Sequence, residues 1–167
     1  IGNPVYHIAM LYALALCGLR SASLEGTGWP DRAGPRPLLI LSDREKLEPN
    51  SQGPIRRVDP RWFKSDEGKA VDYEALLHRP GFEDPEEVFR LIYSSGTTGR
   101  PKCVGLSNRT LETRISHAAL QAPGRSGTGA ILNTMGFSTI IGTMMPFHAP
   151  GNGSMLCREQ ARRDHFP

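Results

Sequence analysis

The segment LIYSSGTTGRPK, residues 91–102, carries a run of apolar β-formers into a bend of glycines and hydroxyls and closes on Arg-Pro-Lys. Gly96 and Gly99 admit positive φ and let a ligand approach the main chain closely. Successive N–H groups in such a bend converge on an anion. Ser94, Ser95, Thr97 and Thr98 add hydroxyl donors, and Lys102 adds a mobile positive charge, with Arg100 a second one. Pro101 stiffens the exit. This chemistry points to phosphate. It is not the Walker A loop, which sets four residues between its first Gly and a Gly-Lys-Ser/Thr; here Gly99 follows Gly96 after two residues and Lys102 follows a proline. Nor does a G-x-G-x-x-G fingerprint occur. For Gly-Thr-Thr-Gly by itself, a β-hairpin turn with no ligand is the competing reading.

The surroundings of the loop read as α/β. VFRLIYSS (88–95) enters it as a strand and KCVGLS (102–107) leaves it as another, in place of the helix that follows a Walker A loop. Ser107 or Asn108 then caps a helix over 109–120, with Leu111, Ile115, Ala118 and Ala119 on one face. Upstream, Asn3-Pro4 starts a helix over 4–17 that Gly18 stops, apolar on nearly every face and so expected to be buried over most of its surface. LLILSD (38–43) reads as a strand buried on both faces, as in a parallel sheet. A short helix is expected over 73–77. Downstream, 130–135 and 154–157 read as strands and 138–147 as a helix. The segments 24–37 and 44–70 carry Gly, Pro and charge without period, a large share of irregular chain for one compact domain.

Composition narrows the function classes. The chain has 167 residues, 22% charged and 38% hydrophobic, which suits a globular fold. A net charge of +3 favours an anionic ligand, but the basic residues are scattered and form no nucleic-acid stripe. Three cysteines, Cys17, Cys103 and Cys157, form no C-x-x-C and no metal-ligand spacing, which fits a reducing, cytoplasmic setting. The apolar run 8–18 is too short to span a bilayer and lacks the basic start of a signal peptide. Beginning on Ile1 without Met, the chain is expected to be a piece of a longer protein.

YSSGTTGRPK (93–102) resembles, position by position, the phosphate-loop signature of the adenylate-forming, AMP-binding superfamily. That superfamily includes acyl-CoA synthetases, firefly-luciferase-like enzymes and nonribosomal-peptide adenylation domains. The following CVGLSNRTLETR keeps the family's Ser107, Arg109 and Leu111, and departs from it at Cys103 and Asn108. NPVYHIAMLYALALCGLRSASL and LLILSD are similar to the family's early helix and strands. MGFSTIIGTMMPF (135–147) is similar to the segment that lines the acyl pocket, and GNGSMLC to the turn and strand after it, with Gly-Asn-Gly for the usual Gly-Gly.

The resemblance implies an α/β fold, a partial sheet with flanking helices. Residues 1–167 would be an incomplete part of the large N-terminal domain, with its phosphate loop at 93–102 and the C-terminal domain outside it. It implies ATP, Mg2+ and a carboxylic acid as ligands, coenzyme A as second substrate, and ligase chemistry: acyl-adenylate formation, then thioester formation. Ser94, Ser95, Gly96, Thr97, Thr98, Gly99 and Lys102 would bind the polyphosphate, with Lys102 also catalytic and the metal ligands left unassigned. The adenine, ribose and hinge motifs of the family do not occur in these 167 residues, so the chain alone is expected to be inactive. A non-catalytic nucleotide-binding remnant of a truncated or decayed gene is the alternative. Phe137, Ser138, Met144 and Met145 are pocket candidates or ordinary core; His7 and His148 are expected to be structural, and Cys103 a buried strand residue.

Overall fold

Asn3 and Pro4 start the first helix through local chemistry. Asn3 is extended, and its side-chain oxygen accepts from the N–H groups of Val5 at 2.9 Å and Tyr6 at 3.3 Å. Helix α1 (Pro4–Leu16) ends at Gly18, whose φ of 66° turns the chain so that the Leu19 N–H reaches back to the Leu14 carbonyl at 2.9 Å. The computed structural model describes residues 1–24, 35–44, 53–64, 72, 74–75, 81, 83–94, 102–121, 129–151 and 155–157. They fall into two units, Ile1–Asn108 and Arg109–Pro167. Much of 24–37 and 44–70 lies outside the described residues. Of the expected 73–77 helix, Glu74 and Ala75 are helical, with Asp72 accepting from the Ala75 N–H at 2.8 Å; Tyr73, Leu76 and Leu77 lie outside.

The first unit is built on a three-stranded sheet in the order β1-β4-β5. β1 (Ser21–Ala22) runs parallel to β4 (Val88–Tyr93), and β4 runs antiparallel to β5 (Cys103–Ser107). A register shift between Val88 and Arg90 puts both Phe89 and Arg90 out of solvent. Gly105 makes room for that irregularity: a Cβ there would lie 2.8 Å from a Val88 methyl carbon. A separate parallel pair joins β2 (Ile40–Ser42) to β3 (Ile55–Arg57). A 3-10 turn, Pro60–Phe63, follows; its cap Asp59 accepts from the Arg61 N–H at 2.8 Å, and Phe63 stacks on Tyr6 of α1 with ring centroids 4.2 Å apart. Leu11, Val58, Phe89, Ile92 and Leu106 are buried.

Two burial expectations change. Leu11 is the one fully buried residue of α1, while Val5 and Leu16 are exposed. LLILSD pairs only over Ile40–Ser42, parallel as expected, but Leu38 is 91% exposed. Burial on both faces needs a layer of structure on each, and the described residues supply less than that to this two-stranded pair. Elsewhere the expected elements form within a few residues of their expected ends. No helix among the described residues is long and apolar enough to cross a membrane.

In the second unit, helix α2 (Asn108–Gln121) leads toward β6 (Ala130–Leu132), which pairs in parallel with β7 (Met155–Cys157). Between them runs helix α3 (Ile140–Gly151), which passes through Pro146 as expected but ends four residues beyond the expected 138–147 span. A proline inside a helix has no N–H for the carbonyl four residues earlier, here that of Gly142. Asn133, 2% exposed, meets this deficit: its side-chain amide donates to the Gly142 carbonyl at 3.5 Å, and its side-chain oxygen accepts from the Met135 N–H at 3.1 Å. Thr139 caps the helix by accepting from the Gly142 N–H at 3.0 Å, and Thr143 donates to the Phe137 carbonyl at 3.1 Å.

Gly142 is the tightest point of this unit. A Cβ there would sit 1.9 Å from the Gly136 carbonyl oxygen, a backbone atom with nowhere to go. Gly142→Ala is therefore expected to destabilise the protein by about 3 kcal/mol, read as a lower urea midpoint. A variant as stable as the parent would show that α3 does not approach the 135–136 backbone in this way.

Candidate functional site

The loop candidate sits at the end of the β4–β5 hairpin. The last paired rung is Tyr93 opposite Cys103. One residue further, the Ser94 N–H donates to the Lys102 carbonyl at 2.9 Å, and the Lys102 N–H donates to the Ser94 Oγ, also at 2.9 Å. This reciprocal pair closes the neck and brings Ser94 and Lys102 together, both exposed. Ser94 Oγ accepts from Lys102 and keeps its own proton to donate. Among the described residues no carboxylate pairs with the Lys102 ammonium. Ser95, Gly96, Thr97, Thr98 and Gly99 lie outside the described residues.

Behind the neck, Tyr93 and Cys103 face each other across the β4–β5 ladder. The Tyr93 phenol is pushed up to about 12, first by burial and then by the Cys103 thiol beside it, so it stays neutral at physiological pH. Cys103 lies in β5 as expected, but it is half-buried rather than buried. Four polar residues that the sequence reading left without a shared role come together here. Arg90, 1% exposed in the middle of β4, donates to the hydroxyls of Ser21 at 3.1 Å and of Ser23. His7 of α1 reaches the same Ser23 Oγ through Nε2 at 2.6 Å, and its Nδ1 lies 3.2 Å from the Ile1 carbonyl. Burial pulls the Arg90 guanidinium down to about 10. The available signal was a charged residue inside the apolar strand VFRLIY; its partners lie far off in the chain and were not readable.

Among the pocket candidates of the second unit, Phe137 and Met144 are buried, and Ser138 and Met145 are half-buried; His148, expected to be structural, is buried. A cavity of about 320 Å³ lies between Thr113, Arg114 and His117 of α2 and Ile140, Ile141 and Met144 of α3. A larger cleft of about 550 Å³ opens beyond β2 and β3, beside Asp43, Arg57, Asp59, Arg61 and Trp62. It belongs to a different pair of strands from the loop, and Arg61 there is already engaged by Asp59 at 2.6 Å. Hydrogen bonding from the Arg61 side chain holds the Asp59 carboxyl down at about 2. Among the described residues no group of three His, Cys, Asp or Glu side chains is placed to hold a metal ion. A magnesium ion at the loop would take its ligands mainly from phosphate oxygens and water.

Comparison with known proteins bears on the family and the fold. The family model described as AMP-binding enzyme matches residues 31–166. The o-succinylbenzoate coenzyme A synthetase of Bacillus subtilis, solved with ATP and magnesium, is 17% identical with a TM-score of 0.69, over 95% of this chain and 33% of that one. ATP-bound MatB from Rhodopseudomonas palustris is 14% identical with a TM-score of 0.66, over 93% of this chain and 33% of that one. The N-terminal domain of FACL13 from Mycobacterium tuberculosis is 14% identical with a TM-score of 0.62, over 95% of this chain and 42% of that one. At such identities these structures share the fold. The chain spans about a third of the length of the first two. No curated protein matches it.

The neck makes its own prediction. Ser94→Ala removes the acceptor of the Lys102 N–H and is expected to cost about 1 kcal/mol in urea denaturation, with Ser94→Thr restoring most of it. Equal stability of Ser94→Ala and the parent would show that the side chain does not hold the hairpin closed.

Proposed function

The chain belongs to the AMP-binding enzyme family, and from that premise we propose that residues 94–102 grip the polyphosphate of ATP while a carboxylic acid is activated as its acyl-adenylate. The observation that carries the proposal is the closed neck, with Ser94 and Lys102 held together at the mouth of a glycine- and hydroxyl-bearing bend. Both residues are exposed to an incoming ligand.

In the proposed reaction a carboxylate oxygen attacks the α-phosphorus. The bond from that phosphorus to the bridging oxygen breaks, and pyrophosphate leaves with the electron pair. Negative charge builds on the leaving group, so preorganised donors aimed at it lower the barrier more than they tighten ground-state binding. Thr97, Thr98 and the amides flanking Gly96 and Gly99 would donate to the β- and γ-oxygens, with Ser94 and Ser95 at the entrance. Lys102 would neutralise charge as it develops. Magnesium, when bound, shields the phosphate oxygens. In the second step a thiol sulfur, that of coenzyme A in this proposal, attacks the acyl carbon and AMP leaves. Phe137, Ser138, Met144 and Met145 are proposed to contribute to the wall against the acid, in a protein working in the cytoplasm. The isolated 167-residue chain is proposed to lack the full reaction, since it spans about a third of the solved enzymes it resembles.

The test is Lys102→Ala in the full-length protein. ATP–pyrophosphate exchange is expected to fall about 100-fold with the unfolding midpoint unchanged. Full activity, or a variant that fails to fold, would remove Lys102 from the role proposed for it. A parent protein that binds ATP but exchanges no pyrophosphate with any acid would favour a non-catalytic nucleotide-binding remnant.

A further inference from the structure

Resting on the reading of the protein as an acid-activating enzyme, we propose that the cavity between α2 and α3 receives the acid, and that Arg114 selects acids that carry a second carboxylate.

The cavity holds about 320 Å³, within the range of small-ligand sites. Its two walls differ in kind. The α3 wall is Ile140, Ile141 and Met144, on one face of a helix that contains no Asp, Glu, Lys or Arg. Met144 is buried and Ile141 is half exposed, so the wall runs from the interior to the surface. It is fixed from behind, where Thr143 donates to the Phe137 carbonyl at 3.1 Å and Asn133 to the Gly142 carbonyl at 3.5 Å. An apolar surface held in this way suits the hydrocarbon body of an organic acid. Met144 also belongs to the wall proposed above to face the acid.

The α2 wall carries the charge. The Thr113 hydroxyl gives its proton to the Arg109 carbonyl at 2.8 Å, so toward the cavity it can only accept. An anion therefore meets two donors there, the Arg114 guanidinium and an imidazole N–H of His117, both exposed. Ala118 completes the lining without adding a polar side-chain atom. None of the lining residues is acidic. The helical neighbours three and four positions from Arg114 are Thr110, Leu111, His117 and Ala118, and Glu112 lies nearly opposite on the helix. Among the described residues no carboxylate pairs with Arg114. The cavity is thus cationic on one wall and apolar on the other, which complements an anion with an apolar body.

The anion that Arg114 meets is not the one that reacts. Attack on the α-phosphorus needs a carboxylate oxygen with a free lone pair. A carboxylate seated in the guanidinium fork commits both oxygens to N–H donors. An acid with a single carboxylate can satisfy the phosphorus or Arg114, whereas an acid with two can satisfy both. Arg114 is therefore a specificity-determining residue, and the substrate class it favours is the dicarboxylic acids.

ATP–pyrophosphate exchange by the full-length protein tests this with matched pairs: hexanoate against adipate, octanoate against suberate, benzoate against terephthalate. The parent is expected to favour the dicarboxylate of at least one pair about tenfold in kcat/KM, as a charged hydrogen bond allows, with the difference lying in KM. Arg114→Gln is expected to abolish that preference. Arg114→Lys, which keeps the charge and loses the fork, is expected to restore part of it. Equal use of both members of every pair by the parent, or a preference that survives Arg114→Gln, overturns the selectivity and leaves acid activation standing. So does an Arg114→Gln protein that loses both acids alike with a lower urea midpoint, or that fails to fold, because the guanidinium then serves packing. Exchange with no acid at all overturns acid activation and the selectivity together.

Discussion

The structure depends on the reciprocal bond pair that closes the β4–β5 hairpin. Ser94 gives its N–H to the Lys102 carbonyl and receives the Lys102 N–H on its hydroxyl, so both ends of residues 94–102 are held by the ladder rather than by the loop. Bringing two chain ends together costs conformational entropy, and the hydrogen bonds of the neck offset part of that cost. The neck also brings the main chain of Lys102 within hydrogen-bond reach of the serine hydroxyl. The interior contribution comes from Tyr93 and Cys103 on the adjacent rung and from Arg90 deeper in the same strand.

The second unit solves a different problem. A helix passing through Pro146 leaves the Gly142 carbonyl without its usual partner, and a buried, unsatisfied carbonyl costs about 1–3 kcal/mol. Asn133 answers this with a side-chain amide, and Gly142 allows the approach because it has no Cβ. The two features are interdependent: the proline creates the deficit, and the glycine lets the turn at 135–136 come close enough to bring Asn133 to it. Phe137, Thr143 and Met144 are held buried around this contact, so the wall proposed to face the acid is built on backbone hydrogen bonding as well as on apolar packing.

How much of this was legible follows from how far each cause acts along the chain. Asn3, Pro4 and Gly18 act within a turn of their own positions, and α1 begins and ends where they say. The strand–bend–strand reading of 88–107 rested on local composition, and its antiparallel pairing follows from the short connection; the superfamily rested on a string of adjacent residues, and the family match agrees. The burial of Arg90 was not legible, because its partners Ser21 and Ser23 lie 69 and 67 positions away. The exposure of Leu38 was hidden for a related reason: an apolar run states what a strand tolerates, while the layers around it decide what it buries. Helix α3 begins two residues later and ends four residues later than the expected 138–147 span, a shift that no local residue signals. Of the candidate site, Ser94 and Lys102 are placed and adjacent, while Ser95, Gly96, Thr97, Thr98 and Gly99 lie outside the described residues.

The central claim is that the Lys102 ammonium, held at the hairpin neck, meets a nucleotide polyphosphate. Amine-labelling rates measured residue by residue on the full-length protein, with and without a non-hydrolysable ATP analogue and magnesium, test it most directly. The account predicts that the analogue slows labelling of Lys102 about tenfold and leaves the exposed Lys64 unchanged. Equal labelling of Lys102 in the presence and absence of saturating analogue would contradict it.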